Sequence, residues 1–347
     1  MEDAVFELRR LRLLHELALR GTLSAVAEAL SYSPSTISQQ LALLEREAGV
    51  PLLVPDGRRV RLTQHGAALA AHAARALALD EQIRGELETL RPGVAPVRIA
   101  VLQTAARALV PAALTLLAER TPQLRVEVAE MPPEEGLFEL SARGFDLVIA
   151  EQYPGHTREH RSGLERDVLG TDPMRIATAT GTADLASLRG RPWVMEPRGT
   201  AARDWAVQQC RAAGFEPDVR FELADLTAHV QLIAADHAVG LLPDLLWADP
   251  LVAGPPSAGP SGGVPSAIRL TDLPGDPVRE VFTAARRSDV ERPSIRLVRR
   301  ALADAFAARR SSAASPVQFS GSSPAAVRPG RVVPGDARHT PATSPEK

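Results

Sequence analysis

The chain is 347 residues long, 45% hydrophobic and 24% charged, with a net charge of −2. Those values exclude a wholly disordered, collagen-like or generally polybasic chain, and the length predicts two domains with connectors. A single cysteine, Cys210, cannot close an intramolecular disulfide, which excludes a disulfide scaffold and points to a reducing compartment. Aromatic residues at 4% are too sparse for a stacking platform. The opening stretch MEDAVFELRRLR lacks the apolar core of a signal peptide. The most apolar run, 108–118, is short and holds Pro111 and Thr115, so no membrane span is expected and the protein reads as cytoplasmic. Lys347 is the only lysine, and the abundant Ala, Arg, Gly and Pro suggest a GC-rich bacterial genome.

In chain order, residues 5–20 form an amphipathic helix with Leu8, Leu11, Leu14 and Leu17 on one stripe. Gly21 ends it, and Thr22 caps a second helix through Leu30. After Ser31-Tyr32-Ser33, Ser33 is an N-cap and Pro34 takes the first position of a third helix that runs to Ala48 and closes at Gly49. At 100° per residue Ile37, Leu41, Leu44 and Ala48 face a core, while Ser35, Ser38, Gln39, Ala42 and Arg46 lie opposite. Small and polar groups on that face suit entry into a DNA major groove, where glutamine pairs with adenine and serine contacts phosphate or base. The same face also suits plain solvation on a helical bundle. The segment beyond the helix favours DNA: an Asp56-Gly57 hairpin turn, then Arg58, Arg59 and Arg61 as a charged wing for the phosphate backbone.

Residues 21–66, GTLSAVAEALSYSPSTISQQLALLEREAGVPLL…DGRRVRLTQHG, resemble the winged helix-turn-helix of the LysR-type transcriptional regulators. By that resemblance Ser33, Ser35, Thr36, Ser38, Gln39 and Gln40 match the recognition-helix segment, and Arg58, Arg59 and Arg61 the wing. The chain departs from the family's usual residues at Pro34, Leu53 and Pro55. Residues 1–66 hold eight arginines and eight acidic groups, so local potential at the docking face and duplication by dimerisation must supply the attraction. Leu69, Ala73, Ala76, Asp80, Ile83, Leu87 and Leu90 keep a 4-3 spacing over 67–91, the seam of a dimerising linker helix. The alternative is a helix packing on its own domain.

From Pro96, after Pro92 and Gly93, strands and helices alternate, which predicts βαβ units and a mostly parallel sheet. Strands are expected at 97–102, 124–129, 145–150, 175–180, 193–195, 219–223, 239–242 and 281–285, with helices at 105–120, 132–143, after Gly199, after Asp225 and at 294–309. Two lobes with chain crossovers, together with FDLVIAE and VGLLP, resemble the family's α/β, periplasmic-binding-protein-like effector domain. The expected organisation is a winged helix-turn-helix (1–66), a linker helix (67–91), an effector-binding domain of two α/β lobes (92–310) and a disordered tail (311–347). The tail carries 16 Pro, Ser or Gly in 37 residues. A second low-complexity stretch, 254–266, reads as a surface loop.

Candidate effector residues sit at strand ends and helix starts, where backbone N–H groups gather ligands. They are Gln103, Thr104, Glu151, Arg198, Gly199, Thr200, Asp225 and His229, each of which could equally be a capping group, and Arg198 favours a carboxylate-bearing effector. The resemblance implies a regulator rather than an enzyme, without a cofactor. Its partners would be double-stranded promoter DNA, a small-molecule effector, itself as dimer or tetramer, and RNA polymerase as a further candidate. The Gly-x-Ser-x-Gly spacing at 259–263 falls inside the low-complexity stretch and is not a strand-to-helix nucleophile elbow, phosphate-loop and zinc patterns do not occur in the sequence, and His156 and His160 read as a solvated loop. The competing readings are a cytoplasmic solute-binding protein, or a hydrolase with a helical appendage.

Overall fold

The computed structural model describes residues 5–57, 59–90, 95–156, 161, 163–181, 183–248 and 267–314. The stretch 254–266, Arg58, His160, Pro92, Gly93 and the tail beyond Ala314 lie outside the described residues. Three helices open the chain: α1 (Leu8–Arg20), α2 (Leu23–Leu30) and α3 (Pro34–Ala48). Local chemistry sets their limits. Gly21 and Gly49 adopt left-handed conformations at φ +74° and +66°, which glycine reaches without a Cβ penalty. Thr22 accepts from the Ala25 N–H at 3.2 Å, and Ser33 from the Thr36 N–H at 3.1 Å. Leu11, Leu14, Val26, Ile37, Leu41 and Leu44 make one buried core with Leu52.

Next comes a hairpin, β1 (Leu53–Asp56) against β2 (Arg59–Leu62), then a 26-residue helix α4 (Gln64–Thr89). Asp56 pairs with Arg59 at the end of β1, so it belongs to the strand rather than to the Asp56-Gly57 turn expected. The heptad seam is divided. Ala73 is buried in the N-terminal core, with Leu69 and Ala76 packed against it, so the helix starts by serving its own domain. Beyond Asp80, which pairs with Arg84 at 2.6 Å, Ile83, Leu87 and Leu90 are exposed, and so is Leu79.

The rest is α/β and two-lobed. In the first lobe β3 (Val97–Val101) pairs in parallel with β4 (Val126–Glu130) and β5 (Leu147–Gln152). These are covered by α5 (Gln103–Ala108), α6 (Val110–Arg120) and α7 (Pro133–Ser141). The single helix expected over 105–120 is broken at Leu109, because Pro111 has no N–H for the carbonyl four residues back. A 15-residue strand, β6 (Leu164–Thr178), then crosses to the second lobe, which holds β7 (Pro192–Met195), α8 (Ala201–Ala212), β8 (Asp218–Glu222), α9 (Leu226–Ala234), β9 (Gly240–Pro243) and β10 (Arg269–Asp272). The return strand β11 (Val278–Arg286) leads to the last helix, α10 (Pro293–Ala314).

The mostly parallel sheet is corrected to a mixed one. Only β3 with β4, β3 with β5, and β7 with β8 run parallel among the described strands. The crossing strands β6 and β11 run in opposite senses, so β11 lies antiparallel to β6 and β5, and β6 antiparallel to β9 and β10.

Ion pairs join the N-terminal helices to the first lobe. Arg20 of α1 donates to both oxygens of Glu139 on α7 at 2.8 Å, and also to the buried Glu16. Arg143, just past α7 and held at φ +62°, donates to Glu81 of α4 at 2.7 Å and to His15 Nε2 at 3.0 Å. Glu81 also takes Ser288 at 2.6 Å and Arg286 at 3.1 Å, while Glu88 takes Arg292 and the Ser294 N–H. Burial and the Arg143 charge push His15 down from 6.5 to about 4, so it stays a neutral acceptor. A histidine depressed in the folded state stabilises above its unfolded pKa, and that contribution fades as pH falls from about 6.5 towards 4. His15→Gln, which keeps an acceptor without the titration, is expected to lose less stability across that window than wild type, measured as denaturation midpoint against pH.

Candidate DNA interface and effector cleft

On α3, Ser33, Ser35, Ser38 and Gln39 are exposed and Thr36 and Gln40 half-buried. Ser33 Oγ lies 2.8 Å from both Ser35 Oγ and Thr36 Oγ1, so the three hydroxyls form one polar cluster at the helix start. Gln40 Oε1 accepts from Arg10 Nε at 3.3 Å, which ties it to α1, while Gln39 is exposed on the outer face. The two carboxylates that would oppose DNA are engaged elsewhere. Glu47 pairs with Arg10. Glu45 accepts the Leu52 and Leu53 N–H groups at 2.8 and 2.9 Å, and so fixes the wing to the far end of α3. Sequence reasoning treats Glu45 only as a charge and misses that bracing.

The wing shows its arginines outward: Arg59 and Arg61 are exposed, and Val60 and Leu62 alternate with them against the core. Its base is set by Thr63, which donates to the Pro51 carbonyl at 2.7 Å and accepts from the Gly66 N–H at 2.9 Å. Gly66 packs so tightly that a Cβ there would sit 2.1 Å from the Leu52 carbonyl oxygen.

The predicted effector residues separate into two groups. Gln103, at the start of α5, donates to Asp225 at 3.1 Å and accepts from the Leu226 N–H at 3.0 Å, so it bridges the lobes. Thr104 and Glu151 lie behind it, buried on the guanidinium of Arg279. Arg279 also reaches Asp172 at 2.9 Å, whose second oxygen accepts the Leu245 N–H at 2.7 Å. Sequence reasoning misses Arg279 and Asp172. The available signal is an arginine in register with Val281, Thr283 and Ala285 on the buried face of β11. His229 is buried and donates through Nε2 to the Leu223 carbonyl at 2.8 Å, and burial lowers its pKa so that it stays neutral.

Arg198, Gly199 and Thr200 lead into α8. Thr200 caps α8 by accepting from the Arg203 N–H at 3.3 Å. Arg198 and Gly199 line an open groove of about 620 Å³, with His156, Arg203, Arg211 and Glu216. Its arginines are matched, since Arg198 and Arg203 lean on Glu222 and Arg211 on Glu216. Cys210 is fully buried in the second lobe, and burial pushes its thiol up to about 12. It is therefore a packing residue with negligible thiolate at neutral pH.

With this geometry in place, the chain can be set beside known proteins. The model of the LysR substrate binding domain matches residues 93–307, and that of the bacterial regulatory helix-turn-helix protein, lysR family, matches residues 8–67. The chain belongs to the LysR family. It is a DNA-binding transcriptional regulator with a C-terminal effector-binding domain. It is 29% identical to the transcriptional dual regulator GltC of Bacillus subtilis, over 70% of this chain and 82% of that one. To a probable hydrogen peroxide-inducible genes activator of Mycobacterium avium it is 31% identical, over 67% of this chain and 76% of that one. A full-length OxyR variant from Pseudomonas aeruginosa shares the fold with a TM-score of 0.58 at 21% identity, over 87% of this chain and 95% of that one. Among the described residues no helix is long and apolar enough to cross a membrane.

Gly66→Ala tests the wing's seating. Alanine gains at most about 1 kcal/mol in helix propensity, whereas displacing a backbone carbonyl costs about 1–3 kcal/mol. The expected net result is a lower Tm and weaker DNA binding, measured by thermal denaturation and a duplex titration.

Proposed function

We propose that α3 enters the major groove with Gln39, Ser35 and Ser38 towards base edges, while Ser33, Thr36 and the wing residues Arg59 and Arg61 meet phosphates. Arg58, though outside the described residues, belongs with the wing by its place in the sequence. Gln40 serves by bracing α3 on Arg10. The observation that carries this reading is the polar outer face of α3, left free while Glu45 and Glu47 beside it are turned to the protein's own groups. Two such helices are needed to offset the near-neutral charge of the N-terminal unit. The exposed Leu79, Ile83, Leu87 and Leu90 of α4 offer the apolar surface on which two copies would pair, and dimerisation would match an interrupted palindrome.

A small effector is proposed to bind between the lobes, near Gln103, Thr104, Glu151, Asp225 and His229, and to act by changing lobe closure. Arg198, Gly199 and Thr200 would shape the second lobe's surface rather than this cleft. The protein would work in the cytoplasm as a regulator and not as an enzyme. Peroxide induction, which some relatives carry in their names, draws no support from Cys210, whose thiol is buried and protonated.

The test is a titration of the protein with its own upstream DNA against random competitor at several salt concentrations. Gln39→Ala is expected to cost about 1–3 kcal/mol at a specific site and to relax base preference there. Arg59→Ala is expected to weaken all sequences alike and to flatten the salt slope by about 0.9. Unchanged affinity and sequence preference in Gln39→Ala would remove that residue from the readout.

A further inference from the structure

The turn between α2 and α3 is closed by the backbone. Ser31, held left-handed at φ +55°, donates its N–H to the Glu28 carbonyl at 3.3 Å, and Tyr32 donates to the Ala27 carbonyl at 2.8 Å. In this helix-closing pattern the last residue commonly turns an apolar side chain back onto the helix it ends. Tyr32 occupies that place, yet it is 38% exposed and carries a hydroxyl.

That side chain holds Arg9 of α1. The guanidinium carbon lies 5.2 Å from the ring centre, and Nη2 donates to Tyr32 Oη at 2.7 Å. A phenol oxygen that accepts in this way still has its own O–H to donate. Arg9 is exposed and meets no carboxylate among the described residues, whereas its neighbour Arg10 is neutralised by Glu7 and Glu47. The wing arginines Arg59 and Arg61 are exposed in the same way.

Tyr32 directly precedes Ser33, the N-cap of α3, whose Oγ joins Ser35 and Thr36 in the polar cluster at the helix start. The wing is braced to the opposite end of α3 through Glu45. With 15 residues in α3, about 22 Å of helix lie between those ends. The wing therefore steadies the helix on the DNA backbone at one end only, and Arg9 with Tyr32 offers a cation and a donor at the other. Glu28, four residues before Tyr32, is an exposed acid that works against this attraction. Directed donors are needed there as well as charge.

We propose that Arg9 and Tyr32 form a phosphate seat for DNA, in which the Tyr32 O–H and the remaining guanidinium N–H groups of Arg9 donate to the oxygens of one backbone phosphate. The seat rests on the reading of α3 as the helix that enters the groove, and it adds a contact on α1 that lies in neither that helix nor the wing. Because the ring and the hydroxyl hold Arg9 in place before DNA arrives, less of its rotamer freedom is lost on binding. A phosphate carries no sequence, so the seat sets affinity and register rather than base preference.

Fluorescence anisotropy of the full chain with a random-sequence DNA duplex, titrated at several salt concentrations, tests the seat, since such binding is essentially all phosphate contact. Both side chains are exposed, so Arg9→Ala and Tyr32→Phe should keep the wild-type Tm. Arg9→Ala is expected to weaken binding and to flatten the log–log salt slope by about 0.9 per protomer. Tyr32→Phe loses a neutral donor, so it should weaken binding about three- to tenfold and leave the slope in place. The double variant should cost less than the product of the single losses, because both donors serve one phosphate. A slope that Arg59→Ala flattens and Arg9→Ala does not would overturn the seat and leave the docking of α3 and the wing intact; with a lowered Tm, it would leave the pair as a staple between α1 and the turn. A slope that neither variant flattens would overturn both readings. Wild-type affinity in Tyr32→Phe, or single losses that multiply in full, would show that the two residues share no phosphate and would also overturn the seat.

Discussion

Glu81 is the point on which the two halves of the molecule meet. From the middle of α4 it receives Arg143 from the end of α7, Arg286 from the end of β11 and Ser288 from the turn beyond. Removing one partner of such a part-buried network strands the others, at a cost of several kcal/mol. The left-handed backbone of Arg143 makes sense in this setting, because φ +62° is unfavourable for a residue with a Cβ. The contacts of its guanidinium with Glu81 and His15 hold it there.

That network gives the family's division of labour a mechanical form in this chain. Helix α7 bears Glu134 at its cleft end, and Glu139 at the other, where Arg20 of α1 grips it. If the proposed lobe closure shifts α7, the Arg20–Glu139 pair carries that shift to α1, and α1 holds α3 through Arg10, which touches both Gln40 and Glu47. Coupling between a cleft and a DNA-reading helix needs an element on which both sites bear, and in the proposed mechanism α7 and α1 in series take that place. The Arg279 cluster supplies the opposite quality. Buried and satisfied on every side, it keeps β5, β6 and β11 in register where the chain crosses between lobes.

The N-terminal unit was legible in the sequence because its signals are local. Ser33, Pro34 and Gly49 mark α3 within one turn of its ends, and the apolar stripe of Ile37, Leu41 and Leu44 gives the orientation. Most strands of the lobes were readable in the same way, from apolar runs separated by capping residues, but β10 and the first part of β6, from Leu164, were not. The seam along α4 was legible only as a period. The same spacing serves an intramolecular core at Ala73 and an exposed face at Ile83, and no sequence rule tells where one gives way to the other. Least legible was the cleft. Arg279 meets partners 107, 128 and 175 residues away, and their convergence depends on antiparallel crossovers that a reading of parallel βαβ units does not contain. The Arg198 group precedes α8 and lines a groove with Arg203, whose ion pairs no local pattern in the sequence announces.

Scanning calorimetry of the full chain, with Glu81→Ala beside it, decides whether the two halves act as one mechanical body. If the DNA-reading and effector halves are joined in that way, wild type unfolds in a single cooperative transition, and Glu81→Ala separates it into two. Two independent transitions in the wild type, with midpoints that Glu81→Ala leaves in place, would contradict the claim that the halves are joined through α4, α7 and α1.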